Sequence, residues 1–114
     1  MSGFDDLKAY KEAFDLAMEI FHLTKKFPKE ETYSLIDQIR RSSRSVCQCI
    51  AESYRKRGYP KHFISKLTDA DAESSETKVW LDFSFKCGYL DKDRYLECSL
   101  KNENIGKIDW LHDT

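Results

Sequence analysis

Three histidines, four cysteines and one strongly basic stretch are the side chains whose chemistry decides what this 114-residue chain can do. Glu19-x-x-His22 and Asp109-x-x-His112 have the i, i+3 spacing with which a helix presents a carboxylate and an imidazole to a di-iron centre. They fall at the ends of the first and last helices predicted below, poles that a 20-residue helix separates by roughly 30 Å, so within one bundle they cannot share a metal. With His62 they read as surface histidines. No set of nucleophile, base and orienting group is recognisable. The chain is therefore expected to be non-enzymatic and to need no cofactor.

Cys47, Cys49, Cys87 and Cys98 form no CxxC pair, and Cys47 and Cys49 diverge by about 200° on a helix, too far apart to grip one zinc. They read as reduced thiols, at least one of them packed in the core. A redox sensor would need a lowered thiol pKa, for which the nearby arginines are the available cause.

Charge is the more informative signal. The whole chain carries a formal −1, yet between Gln38 and Lys66 eight cations face Glu52 alone, a local balance of +7 that leaves −8 for the rest. Arg40, Arg44 and Cys47 are spaced to share one helix side, with Arg41 and Gln48 beside them, and Arg55, Lys56, Arg57, Lys61 and Lys66 surround a turn. Such residues neutralise phosphates without reading bases. Tyr54, Tyr59 and Phe63 lie among them and offer rings for stacking, although Phe63 suits a core. The plainer reading is a solvated face that offsets its acidic neighbours. Asp69, Glu73 and Glu76 lie on one side of the following helix, where they are either solvated, bound to a divalent cation, or paired with Arg40, Arg41 or Arg44 across a helix or subunit contact.

The elements that must position these groups are all helical. Apolar residues at 40% and charged residues at 34% suit amphipathic helices, and no alternating strand pattern occurs. Leu7, Tyr10, Phe14, Ala17 and Phe21, widened by Ala13 and Ile20, predict a buried stripe on a first helix from about Asp5 to Lys26, stopped by Phe27-Pro28. A second helix is predicted from about Glu30 to Arg57. Its inner face is Ile36, Ile39, Ser43, Val46, Ile50 and Tyr54, and small Ser42, Ser43 and Ala51 admit a close neighbour. Gly58 and Pro60 mark the turn to a third helix on Phe63, Leu67, Ala70, Ser74, Thr77, Leu81 and Ser84, closed by Gly88. Val79, Trp80, Phe83 and Phe85 give its second half further apolar faces, so Val79, Trp80, Phe83, Glu73 and Glu76 are expected at a subunit contact. Asp91 caps a weaker fourth helix with Tyr95, Cys98, Asn102, Ile105 and Ile108 on one side and Leu96, Leu100 and Leu111 on another. Short connections predict one domain over residues 1–114, an antiparallel up-down-up-down four-helix bundle. No apolar run reaches membrane-spanning length and no basic apolar leader precedes the first helix, so the expected location is cytoplasmic.

The runs Ile39-Arg40-Arg41-Ser42-Ser43-Arg44-Ser45-Val46, Ile50-Ala51-Glu52 and Ala70-Asp71-Ala72-Glu73-Ser74-Ser75-Glu76-Thr77, with Phe27-Pro28-x-x-Glu31 and Cys87-Gly88-Tyr89-Leu90, strongly resemble the intervening-sequence protein family. Its members, also called four helix bundle proteins, are encoded within insertions in large-subunit ribosomal RNA genes and elsewhere. The resemblance covers nearly the whole chain and implies a four-helix bundle that assembles as a homopentameric barrel. A similar protein, the accessory variability determinant of diversity-generating retroelements, works with a reverse transcriptase and binds nucleic acid through a basic surface. The family pattern has Asn-Ile-Ala-Glu-Gly where this chain has Cys49-Ile50-Ala51-Glu52-Ser53, and its end is typically longer than Ile105-Gly106-Lys107-Ile108 onward, so no role is carried to Cys49 or to that end. The partners implied are further copies of the chain, RNA or DNA, and a nucleic-acid enzyme. A protein-binding scaffold with no nucleic-acid role is the alternative.

Overall fold

In a computed structural model that describes residues 3–108, the chain forms four α-helices: α1 (Lys8–Thr24), α2 (Asp37–Arg55), α3 (Pro60–Lys86) and α4 (Lys92–Ile105). Among the described residues there is no strand. The Asp109-x-x-His112 pair and Leu111 lie outside them. Local chemistry sets the boundaries. Pro60 occupies the first turn of α3, where its missing N–H costs nothing. Gly88 ends α3 at φ 80°, a conformation that favours glycine, and the N–H groups of Gly88 and Tyr89 donate to the carbonyls of Phe85 and Ser84, both at 2.9 Å. Asp91 caps α4 by accepting the Arg94 N–H at 2.7 Å.

The helices close into a four-helix bundle: α1 packs on α2, α2 on α3, α3 on α4, and α4 on α1. The α2–α3 contact is the most extensive. Small side chains are prominent on both helices: Ser42, Ser43 and Ser53 of α2 and Ala70, Thr77 and Ser84 of α3 are all buried. Their hydroxyls are satisfied locally: Ser43 and Ser53 donate to carbonyls of their own helix at 2.8 Å, and Thr77 bonds Ser42 across the seam at 2.9 Å. Partners run in opposite chain order along this pair, Ser42 with Thr77 and Glu52 with Lys66. Between α3 and α4, Asn102 donates its amide to the Ser74 carbonyl at 2.9 Å and accepts the Ser74 hydroxyl at 3.0 Å. Phe85 stacks on Tyr95 at 4.5 Å a few turns away. Ile20, Ile39, Ile50, Leu81 and Cys98 complete the interior.

The third helix buries Ala70, Thr77, Leu81 and Ser84 of its predicted stripe and leaves Phe63, Leu67 and Ser74 half-buried. The first exposes part of its stripe. Its buried residues are Ala9, Ala13, Leu16, Ala17, Ile20 and Thr24, while Tyr10 and Phe21 lie at the edge and Phe14 is 47% exposed. A narrow seam takes the alanine side of the helix and turns the aromatic side out. The second helix also begins later than predicted. Glu30 and Glu31 belong to a short 3₁₀ turn, Lys29–Glu31, and one wide π turn, Thr32–Ile36, precedes the regular helix. That turn buries Leu35 and Ile36 and leaves Tyr33 93% exposed.

At this pole Tyr89 ties the α3–α4 turn to the start of the second helical segment. Its ring packs on Phe27 at 5.3 Å and its hydroxyl donates to Glu31 Oε2 at 2.8 Å. The bond to Glu31, aided by desolvation, pushes the Tyr89 hydroxyl up to about 12, and hydrogen bonds from Ser34 and Tyr89 hold the Glu31 carboxyl below its usual range. A raised tyrosine pKa favours the folded state fully below the ordinary value of about 10, and that share is lost as pH rises through about 12. In urea melts across this alkaline window, Tyr89→Phe is expected to remove that component of the pH dependence; an unchanged profile would show that the clasp is energetically silent. Ser42→Leu is expected to cost about 1–3 kcal/mol by overfilling the α2–α3 seam, read as a lower midpoint in the same melts.

Candidate functional site

The basic residues do not form one uniform patch. Lys66 is half-buried and engaged within the chain, 2.9 Å from Glu52 and 3.6 Å from Asp69. Arg40 is also half-buried and turned into the α1–α2 contact, where its Nε donates to Thr24 Oγ1 at 2.8 Å. The other six, Arg41, Arg44, Arg55, Lys56, Arg57 and Lys61, are exposed. Arg41 and Arg44 lie in the first half of α2, and the remaining four surround the α2–α3 turn, roughly 16 Å further along the helix by its rise per residue. Of the eight, Lys66 alone forms an ion pair with a carboxylate among the described residues. Arg57 folds back over Tyr54, 3.8 Å from the ring centre, and donates to the Tyr54 carbonyl at 2.7 Å.

Aromatic rings of the N-terminal segment alternate with these cations along the α1–α2 face. Lys25, Arg40 and Arg44 stand 4.6, 4.8 and 5.8 Å from the Phe21 ring centre, and Arg55 stands 5.5 Å from that of Phe4. Between these two points Phe4, Tyr10 and Phe14 form a ladder with ring centres 5.1 and 6.0 Å apart. A hollow of about 400 Å³ opens beside Phe14, walled by Met18, Arg44, Cys47 and Gln48. A second, of about 510 Å³, lies further toward the start of α2 among Tyr33, Asp37, Arg40 and Arg41 and shares Arg44 and Gln48 with the first. Of the rings expected to stack, Tyr59 is 64% exposed and Tyr54 and Phe63 are half-buried, whereas Lys25, Phe4, Phe14 and Tyr33 lay outside the expected site. The available signal was the second apolar stripe of the first helix, Tyr10, Phe14 and Phe21, which runs beside the alanine stripe that the core takes.

On α3, Val79 and Phe83 are 46% and 53% exposed, and Trp80 is half-buried with its indole N–H 3.3 Å from Glu76. Trp80 and Phe83 wall a hollow of about 430 Å³ with Tyr33 and Leu35. The acidic run divides its attention: Asp69 meets Lys66, Glu76 meets Trp80, and Glu73 lies near Ser45 and Arg41, its carboxyl pushed up chiefly by burial. Leu96 and Leu100 of α4 are exposed on another side.

Among the described residues no three histidine, cysteine or acidic side chains come together as a metal cage. The arginines do not activate the thiols either. Burial dominates and pushes Cys47 up to about 11 and Cys98 up to about 12, and it raises Cys49 as well. Cys87 is exposed. Ellman's reagent at neutral pH is expected to titrate Cys87 rapidly and to reach Cys47 and Cys98 only in denaturant; a fast Cys47 would restore the redox reading.

No helix among the described residues is long and apolar enough to cross a membrane. A crystal structure of a protein of unknown function from the S23 ribosomal protein family of Bacteroides thetaiotaomicron superposes with a TM-score of 0.78 at 26% identity, covering 87% of this chain and 88% of that one. No curated protein matches the chain. The family model for 23S rRNA-intervening sequence proteins matches residues 5–109, which takes in all four helices and the turns that join them; the chain belongs to the 23S rRNA-intervening sequence protein family.

Proposed function

We propose that this chain is a non-enzymatic, cytoplasmic accessory protein that assembles with copies of itself and holds RNA or DNA against its basic surface. One observation carries the reading: six exposed cations on α2 and the α2–α3 turn form no ion pair among the described residues, although the chain as a whole is slightly acidic. Carboxylates elsewhere on the bundle are engaged with other groups, such as Glu19 with Lys101 at 2.7 Å and Asp82 with Lys78. Unpaired arginines and lysines release counterions when they meet phosphates, which makes binding steeply dependent on salt. Self-assembly is supported by Val79, Trp80 and Phe83, whose apolar surface is more than a lone bundle requires. A homopentamer is the state implied by the resemblance to intervening-sequence proteins.

The scaffold reading draws on the same apolar hollow beside Trp80 and Phe83, which a partner protein would fill equally well. Retention on RNA or DNA separates the two. Wild-type protein is expected to shift labelled RNA in a gel with an affinity that falls steeply as salt rises, and Arg55→Glu with Arg57→Glu and Lys61→Glu is expected to abolish the shift. Wild type that shows no salt-dependent retention of either nucleic acid would remove the nucleic-acid role and leave the scaffold. Phe83→Glu is expected to lower the mass seen by light scattering, and a wild-type monomer at micromolar concentration would end the assembly proposal.

A further inference from the structure

The aromatic side of α1 lies beside Arg40, Arg44 and Arg55, none of which forms an ion pair among the described residues, and this juxtaposition bears on which form of nucleic acid the surface accepts. A duplex hides its base faces and offers a protein only groove edges and phosphates. An unpaired strand offers phosphates and free π faces together, and proteins that hold one combine a basic track with exposed rings on which successive bases stack. The α1–α2 face has both parts. Phe14 stands half out of the surface at the mouth of the 400 Å³ hollow, and Tyr33 stands almost wholly free at the edge of the 510 Å³ one. Arg44 and Gln48 line both, so a phosphate held at Arg44 has the apolar recess of Phe14 on one side and the arginine-lined recess of Tyr33 on the other.

Charge favours the same occupant. The recess beside Phe14 is lined by no carboxylate, and Arg44 is its one charged residue. Lys25 and Arg40 add positive charge around Phe21, and Arg55 adds more beside Phe4 at the far end. Asp37 is the one acidic group lining the second recess, and it forms no ion pair among the described residues. Cys47, an uncharged thiol, contributes to the apolar wall. An amphipathic helix from an acidic protein would also meet an apolar recess and an arginine, yet it would have no use for a separate free ring on each side of the cation.

We infer that the α1–α2 face seats a single-stranded nucleic acid, with a phosphate at Arg44 and unpaired bases stacked on Phe14 and Tyr33. The inference rests on the nucleic-acid reading above and adds the strandedness of the ligand and the place where it is read. Stacking of this kind is tolerant of base identity, so no sequence preference is expected from this face.

The test compares fluorescein-labelled oligouridylate with the same strand annealed to oligoadenylate, each titrated with full-length protein by anisotropy. Phe14→Ala is expected to weaken the single strand at least about fivefold and to leave the duplex unchanged, as loss of one base–aromatic stack requires. Arg44→Ala is expected to weaken both. Phe14→Trp retains a stacking ring, so it is expected to keep the single-strand affinity and to show indole fluorescence quenched by oligouridylate but not by the duplex. Circular dichroism and light scattering on each variant establish that helix content and mass are unchanged. The inference is overturned if Phe14→Ala leaves the single strand untouched, if it weakens strand and duplex alike, or if its main effect is a change of mass, which would assign the face to a second copy of the chain. Failure of wild type to bind either ligand would overturn the broader nucleic-acid reading instead.

Discussion

The small-residue seam between α2 and α3 is the constraint on which the remaining architecture depends. Helices approach closely only where side chains are short, and the buried Ser42, Ser43 and Ser53 of α2 and Ala70, Thr77 and Ser84 of α3 supply short side chains along several turns. Each hydroxyl must then be satisfied without water, which carbonyls of the same helix and the Ser42–Thr77 bond accomplish. The alanines of α1 continue the theme, and the bundle that results measures 44 × 24 × 21 Å. An interior of this width has space for isoleucine and leucine but not for every aromatic ring the chain carries. Phe14, Phe83 and Tyr33 are consequently placed outside, where they cost hydrophobic energy unless something covers them.

This displacement explains both the success and the failure of periodicity as a guide. On α3 the three-four rhythm picks out Ala70, Thr77, Leu81 and Ser84, which are buried although further apolar faces run beside them. On α1 the predicted stripe mixed rings with small residues, and the fold divides it: Ala13, Ala17 and Ile20 are buried, Tyr10 and Phe21 lie at the edge, and Phe14 is exposed. Which side is buried depends on the neighbouring helices, which no local pattern in α1 contains. The punctuation of the chain was legible wherever a residue type has one mechanical use: Pro60 opening a helix, Gly88 at positive φ, Asp91 accepting an amide. The π turn before α2 was not, since nothing in Thr32–Ile36 marks a widened helix apart from two adjacent apolar residues that both have to face inward.

The candidate site was legible in the same partial way. Charge counting identified the basic half of α2, because like charges close in sequence on one helix stay close in space. It could not separate Arg40, drawn onto Thr24 and Phe21, or Lys66, held by Glu52, from the residues left free. Nor could it bring in Lys25 and Phe14, whose place beside Arg44 exists only once α1 and α2 pack. Electrostatics on this protein is thus a matter of which cations the fold consumes. Burial has the opposite effect on the thiols, raising Cys47 and Cys98 out of the reactive range despite the arginines nearby.

Asn102 supplies a last consequence. Its amide spans α4 and α3 with one bond given and one received, both to Ser74, from a buried position. Sliding α4 by a single turn would take that amide off Ser74 and leave both bonds unmade, at the cost of a buried polar group without its partner. The asparagine thereby acts as an axial latch, fixing where α4 stops along α3 while leaving the surrounding leucines and isoleucines free to interchange. Divergent sequences can redraw such a bundle's oily contacts extensively and still hold their surface residues at the same height.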